Sequence, residues 1–300
     1  MTSKFRSFNG ALLGAVLAFV PVLHAAEDAP RTAGPYVPTP QVIVDRMLQF
    51  GKVTAGDFVI DLGSGDGRIV RTAAKSLGAS GFGVDIDGEL VERSNSMAQR
   101  EGVAERAKFY QQDVFKADLT KATVLTLYVL PEMMTNLRPK LLAELKPGTR
   151  IVSHDYHFGD WLPDNRISFD VPEKAEAVGF SSTTLYHWVV PANVGGRWRL
   201  QVDGVKMPEA TLDLRQTFQM VNGKTQAGSR SSDVGNVSLV GRKFEFAADL
   251  GVASNGHRYT YAGTVNGDSM EGEVVWGMDP NAKRHRWKAV RVGAAPTLAR

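Results

Sequence analysis

The amino-acid sequence predicts a doubly wound α/β sheet followed by a small antiparallel β domain. Short apolar runs alternate with helical patterns between positions 41 and 191, which is typical of a parallel sheet covered by helices. Beyond a turn-rich break at 191–196, short runs mostly alternate or pair apolar and polar residues, as antiparallel strands do. The 300 residues are enough for two cores, so we expect an α/β domain over 41–191 and a β-barrel or sandwich over 196–293.

The first predicted strand runs into a glycine-rich turn, and a helical pattern follows. The turn carries Asp61-x-Gly63-x-Gly65-x-Gly67, and the helical pattern begins at Arg68. Glycine lets the backbone approach a ligand closely, and the N–H groups at a helix start favour an anionic or polar group. The third glycine comes one position earlier than in the Gly-x-Gly-x-x-Gly turn of dinucleotide-binding folds. The spacing therefore disfavours an NAD-dependent oxidoreductase.

An acidic residue follows the second predicted strand. Asp85 stands about twenty positions after the glycine turn, where nucleotide-binding α/β folds place a carboxylate on the ribose hydroxyls. We therefore predict that Asp85 binds the ribose of a nucleoside cofactor.

The glycine turn resembles motif I of the Rossmann-like class I methyltransferases, which use S-adenosylmethionine (SAM). Together with Tyr-Val-Pro-Thr at 36–39 and Pro-Glu-Met-Met at 131–134, it resembles one lysine methyltransferase family. That family includes the mitochondrial enzyme for the ATP synthase c subunit. The resemblance spans Tyr36 to about Trp161 and leaves the β domain out. It implies SAM as the cofactor and a protein lysine as the methyl acceptor, with other nucleophilic acceptors left open.

The resemblance also implies roles for individual residues. Asp61 and the glycines after it would hold the methionyl end of SAM from below, and Tyr36 and Thr39 would cover it. Asp113, after the third predicted strand, would bind the exocyclic amine of adenine; a structural turn residue is the alternative. The predicted cofactor-binding set comprises Tyr36, Thr39, Asp61, Gly63, Ser64, Gly65, Gly67, Asp85 and Asp113.

The fourth predicted strand ends in Leu127-Tyr128-Val129-Leu130-Pro131. Many amino methyltransferases acting on bases or glutamine carry Asn/Asp-Pro-Pro-Tyr at this point, so its absence argues against those acceptors. Tyr128 is the catalytic candidate, because it stands where the acceptor would approach the methyl group; packing against the pocket is the alternative. We assign no general base, since methyl transfer to a neutral nucleophile depends mainly on orientation and a dry site.

Composition narrows the function classes. The net charge is +3 and no basic run is dense, so we expect no nucleic-acid partner. The chain has no cysteine, which excludes disulfides, thiolate nucleophiles and cysteine-based zinc sites. The run His154-Asp155-Tyr156-His157 has metal-ligand side chains, but its spacing matches no metal motif. We therefore expect no metal, and favour solvated loop residues or strand-end hydrogen bonds over a role in the acceptor pocket.

The N-terminal residues have the pattern of a targeting segment. Lys4 and Arg6 precede an apolar stretch at 10–23, which predicts a secretory signal peptide over 1–26 and a linker over 27–40. The expected location is therefore the periplasm. The alternative is an uncleaved anchor that keeps a cytoplasmic domain near the membrane. Because SAM is made in the cytoplasm, export leaves a noncatalytic binding protein as the alternative function.

The start of the first helix has a capping pattern. Thr39 can cap a helix that begins near Gln41, with Pro40 in its first turn.

The predicted β domain carries two hairpin signals, Asn222-Gly223 and Asn266-Gly267. Gly196-x-Trp198 with Arg286 or Arg291 resembles a lipocalin-like pattern, although the domain is short for a ligand-binding barrel. We interpret it as a folding, interaction or substrate-presenting module.

Overall fold

The computed structural model describes residues 36–250, 259–276 and 283–296. The predicted leader at 1–26 and most of the predicted linker lie outside these residues. The described part of the chain forms a seven-stranded mixed sheet and a nine-stranded antiparallel sheet. Both sheets belong to one compact unit. This is the predicted fold class.

The first sheet is the predicted doubly wound sheet. Its strands are β1 (Phe58–Leu62), β2 (Ser80–Asp85), β3 (Ala107–Gln111), β4 (Val124–Leu127), β5 (Arg150–His154), β6 (Asn165–Asp170) and β7 (Ser182–Val189). The strand order is β3-β2-β1-β4-β5-β7-β6. Strands β1 to β5 are parallel, and β7 pairs antiparallel with β5.

Helices cover both faces of this sheet. They are α1 (Gln41–Phe50), α2 (Arg68–Leu77), α3 (Gly88–Arg100), α4 (Pro131–Glu144) and α5 (Pro172–Val178). The first three bury apolar side chains in one core with Val59 and Val124. On the opposite face, α4 buries Met134, Leu137 and Leu141 in a second core. Burial on both faces explains why the central strands are nearly continuous apolar runs.

The first helix starts one residue later than its capping pattern predicts. Pro40, not Thr39, is the N-cap residue, and it makes no side-chain cap hydrogen bond. The backbone carbonyl of Pro40 accepts hydrogen bonds from the N–H groups of Ile43 and Val44. The predicted Thr39 cap is wrong because Pro40 takes the N-cap position; Thr39 is buried, and its carbonyl accepts a hydrogen bond from Arg68.

The second sheet is antiparallel throughout. Its strands are β8 (Gly196–Val202), β9 (Ala210–Thr217), β10 (Met220–Ala227), β11 (Arg230–Asp233), β12 (Gly235–Val240), β13 (Lys243–Ala248), β14 (Tyr259–Asn266), β15 (Ser269–Trp276) and β16 (Arg284–Val292). The order is β11-β10-β9-β8-β16-β15-β14-β13-β12. The two ends of the sheet approach each other, since the N–H of Val234 donates to the carbonyl of Gly223. The sheet is therefore nearly a closed barrel, packed with side chains inside.

One of the two hairpin predictions is wrong. Gly223 lies within β10 opposite Leu214, and the turn comes earlier, at Phe218 and Gln219. A Cβ atom at Gly223 would lie 2.1 Å from the carbonyl oxygen of Asp213, so this glycine serves close strand approach instead of a turn. The second prediction is confirmed in position: Asn266 ends β14, and Gly267 begins the turn with φ 62°.

Of the two arginines offered by the predicted pattern, Arg286 and Arg291, it is Arg291 that lies on the Trp198 ring. Its guanidinium carbon lies 4.1 Å from the centre of the Trp198 ring. It also donates to the backbone carbonyls of Gly195 and Asn193 and to Asp268. Arg291 therefore fastens the last strand of the barrel to the chain segment that leads into it.

The two sheets share an aromatic contact. The ring of Trp161, in the loop after β5, stacks on Phe218 of the β9–β10 turn at 5.6 Å. Arg138 of α4 lies over the same Phe218 ring, and Gln219 donates to the carbonyl of Leu162 at 2.7 Å. The barrel thus packs against the loop that follows β5. In the residues that the structure describes, we find no helix of the length and apolar character needed to cross a membrane.

Candidate functional site

The carboxyl ends of the parallel strands collect the predicted site residues at one edge of the first sheet. Asp61 lies on β1, Asp85 ends β2, Tyr128 follows β4 and His154 ends β5. Because β1 neighbours both β2 and β4, this edge has a cofactor side at β1–β2 and an acceptor side at β4–β5. Ligands of open α/β sheets bind at such an edge.

The glycine turn has the backbone that only glycine adopts readily. Gly63, Gly65 and Gly67 have φ of 76°, 54° and 76°. Tyr36 lies directly on the turn, since a Cβ atom at Gly65 would be 2.6 Å from its ring. The segment 36–40, which we name the strap, therefore packs on the glycine turn, although its residues fall in the predicted linker.

Gly67 is needed for packing beneath the turn. A Cβ atom at this position would lie 2.5 Å from the ring of Phe109 on β3 and 2.9 Å from Cβ of Ser94 on α3. The hydroxyl of Ser94 in turn donates to the carbonyl of Gly65 at 3.0 Å. The third glycine thus brings β3 and α3 against the turn, which is a structural function.

The N–H groups of the turn bind inside the protein. Gly63 and Ser64 donate to the carbonyl of Val84, and Gly67 donates to the carbonyl of Ser64. Gly65 donates to Oδ2 of Asp85 at 2.8 Å. These turn N–H groups are therefore already bound, and the expectation that the helix start favours an anionic or polar group stays a prediction. The cradle is rich in carboxylates, which suits a positively charged ligand.

Asp61 is the most deeply buried of these carboxylates. It is 2% exposed, and its Oδ1 accepts a hydrogen bond of 2.7 Å from the hydroxyl of Thr126 on β4. Burial, with smaller contributions from the nearby charges of Asp85 and Asp66, raises the pKa of Asp61 to about 7 against the lowering effect of the Thr126 hydrogen bond. A cation placed beside Asp61 would favour the ionised form.

A second buried acid, Asp66, was missed by sequence reasoning. It accepts a 2.7 Å hydrogen bond from Arg68, which also donates to the carbonyl of Thr39 at 2.6 Å. Burial opposes ionisation of Asp66, but the hydrogen bonds and charge of Arg68 hold its pKa below the usual value. This pair fastens the strap to the start of α2. The Asp-Gly-Arg run at 66–68 was the available signal.

Asp85 holds the turn through one oxygen. Besides accepting from Gly65, the carboxylate accepts from the N–H of Asp87 at 3.1 Å through Oδ1. Beside it, the hydroxyl of Ser64 is buried and has no hydrogen-bond partner among the described residues. Each carboxylate oxygen has a second lone pair, so ribose binding by Asp85 stays a prediction that this geometry permits.

Asp113 makes the turn contact that was the alternative to adenine binding. It precedes a 3₁₀ turn, Val114–Lys116, and its Oδ1 accepts from the N–H of Phe115 at 2.9 Å. The structural role is therefore present, and adenine binding by Asp113 stays a prediction.

The acceptor side is aromatic. The ring of Tyr128 lies 4.0 Å from that of His154 and 6.1 Å from that of Tyr156. Burial raises the pKa of Tyr128 to about 12, with a smaller contribution from Asp155, so its phenol stays protonated at neutral pH. Burial lowers the pKa of His154 to about 4, so the imidazole is neutral there. Tyr128 and His154 thus carry no charge at neutral pH.

The loop interpretation of His154 is wrong, whereas strand-end bonding is confirmed for Asp155. His154 is 1% exposed, and its two ring nitrogens have no hydrogen-bond partner among the described residues. Asp155 has φ 62°, accepts the N–H of Thr184 at 3.0 Å, and pairs with Lys174 of α5 at 2.5 Å. Lys174 is only 2% exposed, so α5 is held at the end of β5 by a buried ion pair.

The described residues contain no group of three or more histidine, cysteine or acidic side chains arranged to hold a metal ion.

The cofactor side fits the cofactor that the turn implies. The turn backbone leaves no room for side chains at Gly65 and Gly67, and the hydroxyl of Ser64 is an unused buried donor. The carboxylates of Asp61 and Asp85 adjoin the turn, while that of Asp66 is paired with Arg68. SAM presents a positively charged sulfonium, an ammonium group and a ribose, which match carboxylates and hydroxyls better than an anionic cofactor would. Asp61, Ser64 and Asp85 are the side chains placed to hold it.

Comparison with known proteins agrees with this geometry. The family model described as the ANTKMT methyltransferase domain matches residues 61–165, from β1 to the start of β6. A protein-lysine N-methyltransferase of Saccharolobus islandicus is 42% identical over 137 residues, covering 45% of this chain and 85% of that protein. The lysine N-methyltransferase for the ATP synthase c subunit of Xenopus laevis is 36% identical over 131 residues, covering 44% of this chain and 57% of that protein.

A solved structure is also similar. An RNA methyltransferase from Salinibacter ruber, crystallised with S-adenosyl-L-homocysteine, is 45% identical with a TM-score of 0.46. The match covers 51% of this chain and 93% of that chain.

The sheet, its carboxylate-lined glycine turn and the matched family model define a class I methyltransferase that uses SAM as its cofactor. Within that class, the chain belongs to the methyltransferase family of the Saccharolobus islandicus protein, which it matches over most of that protein's length.

Proposed function

We propose that this methyltransferase acts on the side-chain amine of a protein lysine. The observation that carries the proposal is the 42% identity to a protein-lysine N-methyltransferase over 85% of that protein. The aromatic acceptor side supports it, because burial beside uncharged rings disfavours an ammonium and favours the neutral amine that attacks. The family match gives no support to the noncatalytic alternative. The periplasmic location predicted from the leader stays a prediction.

Methyl transfer depends on the orientation of the two reactants more than on covalent catalysis. SAM, when bound, would supply an activated methyl group, which would bond to the acceptor nitrogen as the carbon–sulfur bond breaks and its electron pair goes to sulfur. The protein's part is to hold the cofactor through Asp61 and Asp85, keep the strap over the turn, and exclude water at Tyr128. The lysine ammonium would lose its proton to solvent water before the attack.

The first experiment is calorimetric titration of SAM into the full chain, with Asp85→Ala alongside. We expect the variant to bind SAM at least tenfold more weakly, because it loses hydrogen bonds to a charged acceptor, each worth about 1.5–3 kcal/mol. Asp87→Ala is the matched control, since Asp87 caps α3 through Glu89 and Leu90 and lies outside the cradle. Equal SAM affinity in the wild type and Asp85→Ala would refute the ribose assignment.

The acceptor is tested separately with radiolabelled SAM and poly-L-lysine. We expect label to enter the polymer with the wild type and to be lost with Asp85→Ala at SAM concentrations below saturation. If the wild type binds SAM but labels no lysine polymer, the lysine proposal fails while the assignment to the methyltransferase class stands.

A further inference from the structure

A groove runs between the strap and α5 beside the functional edge of the first sheet. Its volume is about 530 Å³, within the range of roughly 300–1,000 Å³ that is usual for ligand sites. Pro38, Pro40 and Val42 form one wall, and Glu173 and Glu176 stand on the other. Among the residues that the structure describes, the lining includes these two carboxylates and no basic side chain.

Each wall of the groove is joined by contacts to one side of the functional edge. On the strap side, the carbonyl of Thr39, between the two prolines, binds Arg68, and Tyr36 packs on Gly65 of the glycine turn. On the helix side, Lys174 stands next to Glu173 in the chain, and its side chain turns inward to pair with Asp155 at the end of β5. The groove therefore adjoins the cofactor side through one wall and the acceptor side through the other.

The charges of the groove are not neutralised by α5 itself. Glu173 and Glu176 are exposed. The only basic residue of α5, Lys174, pairs with Asp155 and donates a second hydrogen bond to the carbonyl of Ser182. The opposite wall is mostly apolar, with Gln41 as its polar residue, and Val42 is 42% exposed. An acidic wall facing an apolar wall suits a cationic segment whose aliphatic stems can lie on prolines and valine.

We propose that this groove binds the peptide segment around the acceptor lysine and selects segments that carry further Lys or Arg residues. The inference rests on the proposed lysine-directed function and names the substrate class of that site. The strap prolines fix half of the groove before the substrate arrives, which lowers the ordering cost of binding. The chain as a whole has net charge +3, so its overall charge does not attract a basic peptide, and any preference must arise locally.

The test uses three short fluorescent peptides with one central norleucine in place of lysine, flanked by arginine, glutamine or glutamate. Norleucine keeps the aliphatic stem and cannot be methylated, so binding is measured without transfer. Binding is followed by fluorescence anisotropy with the full chain in saturating S-adenosylhomocysteine. We expect the arginine-flanked peptide to bind most tightly and the glutamate-flanked peptide most weakly, with differences that shrink as salt rises.

The decisive variant is Glu173→Gln with Glu176→Gln. Both side chains are exposed, so we expect the fold and the SAM affinity to be unchanged. Affinity for the arginine-flanked peptide should fall about fivefold at low salt, as expected for the loss of two exposed charge pairs. The control variant, Glu105→Gln with Glu271→Gln, removes the same charge from exposed positions away from the groove and should leave peptide affinity unchanged.

Two results would overturn the groove assignment: equal binding of the three peptides by the wild type, or an unaltered preference in the groove variant. Failure of the proposed function gives a different result. In that case the wild type still selects the arginine-flanked peptide, but transfers no methyl group to the same peptide carrying lysine.

Discussion

The two sides of the functional edge are built by different means. On the cofactor side, glycines with positive φ and backbone hydrogen bonds shape the cradle, and its side chains come from positions 61–85, close together in the chain. On the acceptor side, the aromatic pair Tyr128 and His154 is supported by Asp155 and by Lys174 of α5. The difference teaches that cofactor binding depends on local backbone geometry, whereas the acceptor side depends on tertiary packing.

The strongest test of this difference is the buried ion pair. Asp155→Ala should lower the free energy of unfolding by about 3 kcal/mol, because it leaves the ammonium of Lys174 buried without its partner. SAM affinity, measured calorimetrically at a temperature where the variant is folded, should stay within about twofold of the wild-type value, since the cradle is untouched.

The matched double variant, Asp155→Leu with Lys174→Met, removes both charges and should recover most of the lost stability. Chemical denaturation of the three proteins provides the measurement. A large loss of SAM affinity in Asp155→Ala would show that the two sides of the edge are not independent.

The next test acts on the cofactor side. Gly65→Ala should weaken SAM binding by about tenfold or more, because the added methyl group would lie 2.6 Å from Tyr36 and push the strap off the turn. Gly102→Ala is the control for backbone strain, since Gly102 has φ 71° and no atom within 4 Å of the added group. The left-handed backbone alone should cost each variant about 1–2 kcal/mol of stability, and the contact with Tyr36 should add to the loss in Gly65→Ala. Equal SAM affinities in the two variants would contradict the role of the strap.

The smallest expected effect is the release of a proton. Because the pKa of Asp61 is about 7, well above its ordinary value, the carboxyl is largely protonated at pH 6 before SAM binds. If the cation of SAM ionises it, binding should release about 0.9 proton at pH 6 and about 0.1 at pH 8. Calorimetry in buffers of different ionisation enthalpy measures this number. Asp61→Asn should abolish the release, and a pH-independent value in the wild type would count against cation binding beside Asp61.

The sequence predicted the cofactor side in more detail than the acceptor side, for physical reasons. Asp61 and the glycines form a motif within seven positions whose backbone needs are visible in the residue types. The pairing of Asp155 with Lys174 was not predictable, because it depends on β6 and on the seven-residue helix α5, both too short for a clear periodicity. Likewise, the signal at Asn222-Gly223 failed because strand contact with Asp213, and not turn geometry, requires that glycine.

The stacking of Trp161 on Phe218 has a consequence for how the molecule unfolds. Phe218 lies in the β9–β10 turn of the barrel, yet it is buried in the same core as Trp161, Trp188 and Leu141 of the methyltransferase half. Unfolding of the barrel would remove the Phe218 ring from this core and loosen the loop that begins at Asp155. The two sheets should therefore unfold in a single cooperative transition, in which the barrel stabilises the methyltransferase half.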